Sequence, residues 1–122
     1  MSKILLIDDD KDFRSMLCDL LTREGYVVVE AKDGKDGLSK FHEESPDLVI
    51  TDIIMPEQDG TGVIIELNNL KSTTPIIAIS GGGQNRGDEY LEIAKMFGAK
   101  HVFEKPLNFH EFIETVNDLL GQ

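Results

Sequence analysis

Cysteine is almost missing from this chain: Cys18 is the only one among 122 residues. An internal disulfide is therefore impossible and stability has to come from a packed core, which suits a reducing compartment. Met16, Leu17, Leu20 and Leu21 surround Cys18 in sequence and mark it as a small packed side chain rather than a reactive thiol. Long apolar runs are missing as well. The N-terminal run Ile4–Ile7 is far shorter than the roughly 20 residues of a membrane span, and it lacks the longer apolar region and small-residue cleavage site of a secretory signal. An acidic triplet follows at once, and the expected location is cytoplasmic, with no membrane partner. Positive charge is scarce too: 12 basic residues face 23 acidic ones, for a net charge of −11. Such a surface repels nucleic-acid phosphates and argues against DNA or RNA binding. Two ligand loops are excluded by what their patterns lack. The segment Gly81-Gly82-Gly83-Gln84-Asn85-Arg86-Gly87 does not end in Gly-Lys-Ser/Thr, so it is no P-loop. A calcium loop starting at Asp8 would need glycine where Phe13 stands.

What is present fits one globular domain over residues 1–122. The apolar fraction is 40% and the charged fraction 29%, and a chain of this size buries about two-thirds of the surface it exposes when unfolded. Five short apolar runs alternate with helical patterns. The runs are Ile4–Ile7, Tyr26–Val29, Leu48–Ile50, Ile76–Ile79 and His101–Phe103. Several are β-branched and apolar at consecutive positions, as in strands covered on both faces; the second and fifth are weaker. Stripes at three- and four-residue spacing lie between them. Phe13, Met16, Leu17, Leu20 and Leu21 form the first, closed by Gly25 as a C-terminal cap. Leu38 and Phe41 mark the second, which stops before Ser45-Pro46. Val63, Ile64, Leu67 and Leu70 mark the third, and Tyr90, Ile93, Ala94 and Phe97 the fourth. Phe109, Phe112, Ile113, Val116, Leu119 and Leu120 make the fifth. The reading for all of these stripes is core packing. Strand–helix alternation with short joints predicts an α/β domain: a doubly wound, five-stranded parallel sheet with helices on both faces. No repeat or compositional break divides the chain, and no attached output domain is expected after the fifth helix.

In open α/β sheets, sites form beyond the carboxyl ends of the strands. The first run ends in Asp8-Asp9-Asp10 and the third in Thr51-Asp52. The fourth ends in Ser80, and the fifth in Glu104-Lys105-Pro106. Carboxylates gathered at one end repel each other unless a cation intervenes. Hard oxygen ligands select Mg²⁺ or Mn²⁺, and Mg²⁺ characteristically uses one or two carboxylates with waters and phosphate oxygens. A carboxylate is also a nucleophile toward phosphorus. A lysine and a hydroxyl at the same sheet end would stabilise phosphoryl oxygens. No residue type here is specific alone; the constellation is.

That constellation resembles the receiver domain of bacterial response regulators, the phosphoacceptor of two-component signalling, over essentially the whole chain. The resemblance is carried by Leu6-Ile7-Asp8-Asp9-Asp10, Asp52-Ile53-Ile54-Met55-Pro56 with Asp59-Gly60, Ile79-Ser80-Gly81, Gly98-Ala99 and Lys105-Pro106-Leu107. It implies a flavodoxin-like (βα)5 fold with strand order 2-1-3-4-5. It implies Asp52 as phosphoacceptor, and Mg²⁺ held by Asp9, Asp52 and the Ile54 backbone carbonyl, with Asp8 acting through a water on the metal. Lys105, joined to Pro106 by a cis bond, would contact the phosphoryl group, and Ser80 would swing toward it. The donor would be a histidine kinase or histidine phosphotransfer protein, docking near Asp12, Phe13, Arg14 and Met16. A downstream protein target would dock near the fourth and fifth helices and the loop after the fourth strand. The chain would catalyse its own labelling while serving as a signalling relay, as in a phosphorelay. Asp10 is read as a helix cap, Asp59-Gly60 as a turn, and His42, His101 and His110 as solvated.

The chain departs from the family pattern at Val102, where many members carry an aromatic residue three positions before the lysine. Phe103 is next, but neighbouring strand residues face opposite sides, so Phe103 is expected to point into the core. The positions that govern phosphoryl lifetime in the family are Ile54 and Gly82 here, neither able to orient a hydrolytic water; slow self-dephosphorylation is expected. An aspartate-nucleophile phosphatase would need an Asp-x-Asp-x-Thr/Val pattern, which Asp8-Asp9-Asp10-Lys11-Asp12 meets only in its first half. A non-phosphorylated module of the same fold would normally have lost the acidic pair, the acceptor or the lysine. All are present.

Overall fold

The computed structural model describes residues 2–53, 60–69, 73–80, 92, 95 and 98–121. Five strands run parallel: β1 (Lys3–Ile7), β2 (Val27–Ala31), β3 (Leu48–Asp52), β4 (Ile76–Ser80) and β5 (His101–Glu104). Their order in the sheet is β2-β1-β3-β4-β5, as the family resemblance implied. The central strands β3 and β4 are buried at every residue and β1 at four of five, whereas β2 and β5 are partly exposed at the edges. That explains their weaker apolar runs, because an edge strand needs less cover. The second strand also starts later than expected. Tyr26 precedes it, buried; its backbone amide donates to Leu21 O at 3.2 Å instead of joining the ladder, and its hydroxyl donates to Asn117 Oδ1.

Alternate residues of each strand feed two separate cores, the period-2 consequence of the pleat. On one face Ile4, Leu6, Leu48, Ile50, Ile77 and Ile79 pack with Leu17 and Leu21 of α1 (Lys11–Arg23) and with Phe112 and Val116 of the C-terminal helix (Phe109–Leu120). On the other, Leu5, Ile7, Val49 and Ala78 pack with Leu38 and Phe41 of α2 (Gly34–Glu44) and Val63, Ile64 and Leu67 of α3 (Gly60–Asn69). Val102 and Phe103 divide the same way: Val102 joins the α2/α3 side, while Phe103 meets Phe112 edge-on at 5.4 Å. Two stripe residues are an exception to core packing, since Met16 is 43% and Phe109 41% exposed. The fourth helical pattern lies outside the described residues, apart from helical positions at Glu92 and Lys95.

The helices begin where short polar side chains can satisfy their free N–H groups. Asp10 Oδ1 accepts from the amides of Asp12 and Phe13, Asp33 caps α2, and Asn108 caps the C-terminal helix. Helix α1 closes one residue earlier than expected: Glu24 is the cap, and Gly25 follows with φ of +97°, the position where a glycine avoids the Cβ penalty. Among the described helices, none is long and apolar enough to cross a membrane.

Helix α2 sits against the sheet at Gly37. A Cβ there would meet the side chain of Ile7, with Cγ1 at 2.8 Å, and Ile7 is fully buried. Gly37→Ala is expected to destabilise the fold by about 1–3 kcal/mol through overpacking. Urea unfolding checks this as a lowered midpoint at unchanged slope.

Candidate functional site

Ladder hydrogen bonds continue one residue past the strands at their carboxyl ends and hold the site backbone. The amide of Asp8 donates to Ala31 O at 3.1 Å, Ile53 to Ile79 O at 3.0 Å, and Lys105 to Ser80 O at 2.8 Å. Register then levels the chemistry. Ile7 pairs with Thr51, Asp52 with Ile79 and Ser80 with Glu104, so Asp8, Asp52, Ser80 and Lys105 emerge from four strands at one end of the sheet.

Asp8, Asp9 and Asp52 converge, each offering an oxygen within 4.8 Å of the other two. Asp8 and Asp52 are 1% and 5% exposed, while Asp9 is exposed. Lys105 Nζ bridges the two buried acids, 3.3 Å from Asp8 Oδ2 and 3.2 Å from Asp52 Oδ2. Asp8 Oδ1 also accepts from the amide of Asp10 at 2.9 Å. Thr51 Oγ1, buried, donates to the carbonyl of Asp52 at 3.0 Å. The Ser80 hydroxyl is fully buried and makes no hydrogen bond among the described residues.

The electrostatics follow from burial. Desolvation is the largest influence on Asp8 and, with repulsion from Asp52, raises its pKa from 3.8 to about 6, although the Asp10 amide and Lys105 favour the charged form. For Lys105, burial alone would favour the neutral amine, but attraction to Asp52 and then Asp8 outweighs it and pushes the pKa up. Among the described residues, the three carboxylates of the site thus carry more negative charge than Lys105 balances. All its ligand atoms in the cluster are carboxylate oxygens, a donor set that fits a hard divalent cation such as Mg²⁺ and not a thiophilic metal.

Of the residues singled out in the sequence, Asp8, Asp9, Asp52 and Lys105 are brought together. Ser80 stands at the end of the neighbouring strand. Asp10 faces its own helix as a cap. Ile54, Asp59, Gly82 and the glycine loop lie outside the described residues. The Lys105–Pro106 bond is cis. His42, His101 and His110 are exposed, and burial, with Glu30 nearby, pushes the Cys18 thiol up, away from a reactive thiolate. Arg14 has a role that its position in sequence did not suggest. Its Nη1 donates to the Asp8 carbonyl at 2.7 Å and its Nε to Glu30 Oε1 at 3.1 Å, tying α1 to the ends of β1 and β2. Neither partner follows from helical or strand spacing, so no sequence signal marked it.

A family model described as the response regulator receiver domain matches residues 4–117. The chemotaxis protein CheY of Bacillus subtilis is 36% identical over 120 residues, covering 98% of both chains. The transcriptional regulatory protein CpxR of Escherichia coli is 33% identical over 121 residues, 98% of this chain but 50% of that protein. Among solved structures, the response regulator protein TrrA from Thermotoga maritima, in complex with Mg²⁺-BeF, superimposes with a TM-score of 0.83 at 34% identity, covering 98% of this chain and 99% of the other.

A raised Asp8 pKa means that the folded chain binds its proton more tightly than the unfolded chain. Between pH 4 and 6, ionisation of Asp8 therefore costs stability as pH rises, up to about 3 kcal/mol for a shift of this size. In EDTA, Asp8→Asn is expected to be more stable than wild type at pH 7 by about 1–3 kcal/mol, and the advantage should shrink toward pH 4. Paired urea titrations across that range test it; a constant difference would show that Asp8 ionises without penalty.

Proposed function

The chain belongs to the response regulator receiver domain family, and from that premise we propose that it accepts a phosphoryl group on Asp52 and relays a signal by the change that follows. The observation that carries the reading is the meeting of Asp8 and Asp9 with Asp52, from distant stretches of chain, under the ammonium of Lys105. A carboxylate oxygen of Asp52 attacks the phosphorus of a phosphohistidine. The P–O bond forms as the P–N bond breaks, and the departing imidazole takes its proton from solvent or the donor protein. Asp9 and Asp52, with the Ile54 carbonyl and Asp8 in support, are the residues that would hold Mg²⁺, which when bound neutralises charge on the phosphoryl oxygens.

The residues of the chain do the rest. Lys105 is already charged and shared between two carboxylates, so it can pass one N–H from Asp52 to a phosphoryl oxygen without a change of protonation. Ser80 has the stronger incentive. Its buried hydroxyl has no partner among the described residues, an arrangement that costs about 1–3 kcal/mol, and a phosphoryl oxygen on the neighbouring strand end would give it an acceptor. That gain pulls on the chain after β4 and couples the site to the surface around the fourth helical pattern and the C-terminal helix, where a target protein would dock. The donor is a histidine kinase or phosphotransfer protein approaching over the start of α1, in the cytoplasm. The net charge of −11 opposes a nucleic-acid partner. As a proposal the single domain extends over residues 1–122.

Incubation with acetyl phosphate and Mg²⁺, followed by intact-mass analysis, is expected to add one phosphoryl group to wild type and none to Asp52→Asn. EDTA should block the labelling. Lys105→Ala should slow it by about 10²- to 10³-fold, the usual consequence of removing one charge-stabilising donor. Continued turnover of a phosphomonoester would instead favour a phosphatase, and no label under any condition would favour a non-phosphorylated module.

A further inference from the structure

The first turn of α1 places an aromatic ring against the lysine of the site. Lys105 Nζ lies 4.0 Å from the centroid of the Phe13 ring, well inside the roughly 6 Å range of cation–π attraction. We propose that Phe13 is a positioning residue, whose ring holds the Lys105 ammonium beside Asp8 and Asp52 and leaves its N–H donors available for exchange.

Three observations support this. The carboxylates do not grip the ammonium closely: at 3.2 and 3.3 Å the contacts exceed the roughly 2.7–2.9 Å of a strong charge-assisted bond. The ring, by contrast, is fixed from behind. Its backbone amide is held by Asp10 at 3.1 Å, and its side chain is partly buried against the core between the sheet, α1 and the C-terminal helix. The Lys105 side chain is 21% exposed, so water competes less than it would at an open surface. The chemistry of the ring also suits the task. An ammonium has three donors, and a π-face attracts its charge without accepting a proton or adding a fourth acid to a crowded site. A leucine there would supply bulk and no attraction; a carboxylate would compete with the phosphoryl group for the same N–H.

The consequence for labelling rests on Asp52 being the phosphoacceptor, whereas the placement of Lys105 does not, so two measurements keep them apart. In divalent-free protein at fixed pH, with ¹³Cε-labelled lysine, the Lys105 signal is identified by its loss in Lys105→Arg. Its ε-protons should lie upfield of the other lysines through the ring current, remain there in Phe13→Tyr, and return to the common position in Phe13→Leu. The initial rate of labelling by acetyl phosphate in Mg²⁺ should fall about three- to tenfold in Phe13→Leu. It should fall similarly when position 13 carries trifluorophenylalanine, which keeps the shape and weakens the π-face, and Phe13→Tyr should stay within about twofold of wild type. If Phe13→Leu does not fold, the trifluorophenylalanine and tyrosine proteins carry the comparison. An unshifted Lys105 signal in wild type, or a trifluorophenylalanine protein labelled at the wild-type rate, would overturn the proposal. If wild type takes no label at all, the phosphoacceptor reading falls instead, and the ring-current comparison alone decides the position of Lys105.

Discussion

Three carboxylates share a space less than 5 Å across, with one lysine among them, and most of the molecule can be understood as what is needed to hold them there. Acids this close are pushed apart by charge and, where buried, by lost hydration. Asp8 records the strain in its raised proton affinity. The arrangement persists because each acid stands on backbone that has no freedom to retreat. Ladder bonds run past the strand ends, Thr51 and Arg14 fasten the carbonyls of Asp52 and Asp8, and Asp10 uses its side chain for the helix instead of the site.

The rigidity comes from the two cores. Central strands buried on both faces cannot slip in register, because a shift by one residue would exchange the side chains of the two cores. The same alternation separates Val102 from Phe103. The aromatic ring that the sequence offers near Lys105 is spent on Phe112, across the sheet from the side where Val102 packs. Position 102 thus carries no ring that could turn at the edge of the site, and the hydroxyl of Ser80 is the buried polar group on the strand end beside Asp52.

The order of the described elements, the helical stripes other than the fourth and the acids at strand ends were legible because each rests on local periodicity or on residue type at a boundary. The errors were local too. An aromatic next to three valines reads as extended chain, but the backbone amide of Tyr26 turns back to Leu21 O at the end of α1, and its hydroxyl reaches Asn117, 91 positions away. Met16 and Phe109 belong to apolar stripes yet stay largely exposed. Spacing alone places a residue near a face without saying how far the neighbouring element covers it.

From its sequence alone this chain determined the class of fold, the family and the chemical character of its site. Those depend on pattern and composition at strand ends, which the linear order preserves. Only the tertiary structure decided which groups touch: Lys105 against Asp8 and Asp52, Arg14 on the Asp8 carbonyl, Phe13 over the ammonium, and Ser80 buried with no hydrogen-bond partner among the described residues. Such contacts join residues up to 97 positions apart. Their distances are set by how sheet and helices pack as solids, which no periodicity along the chain encodes.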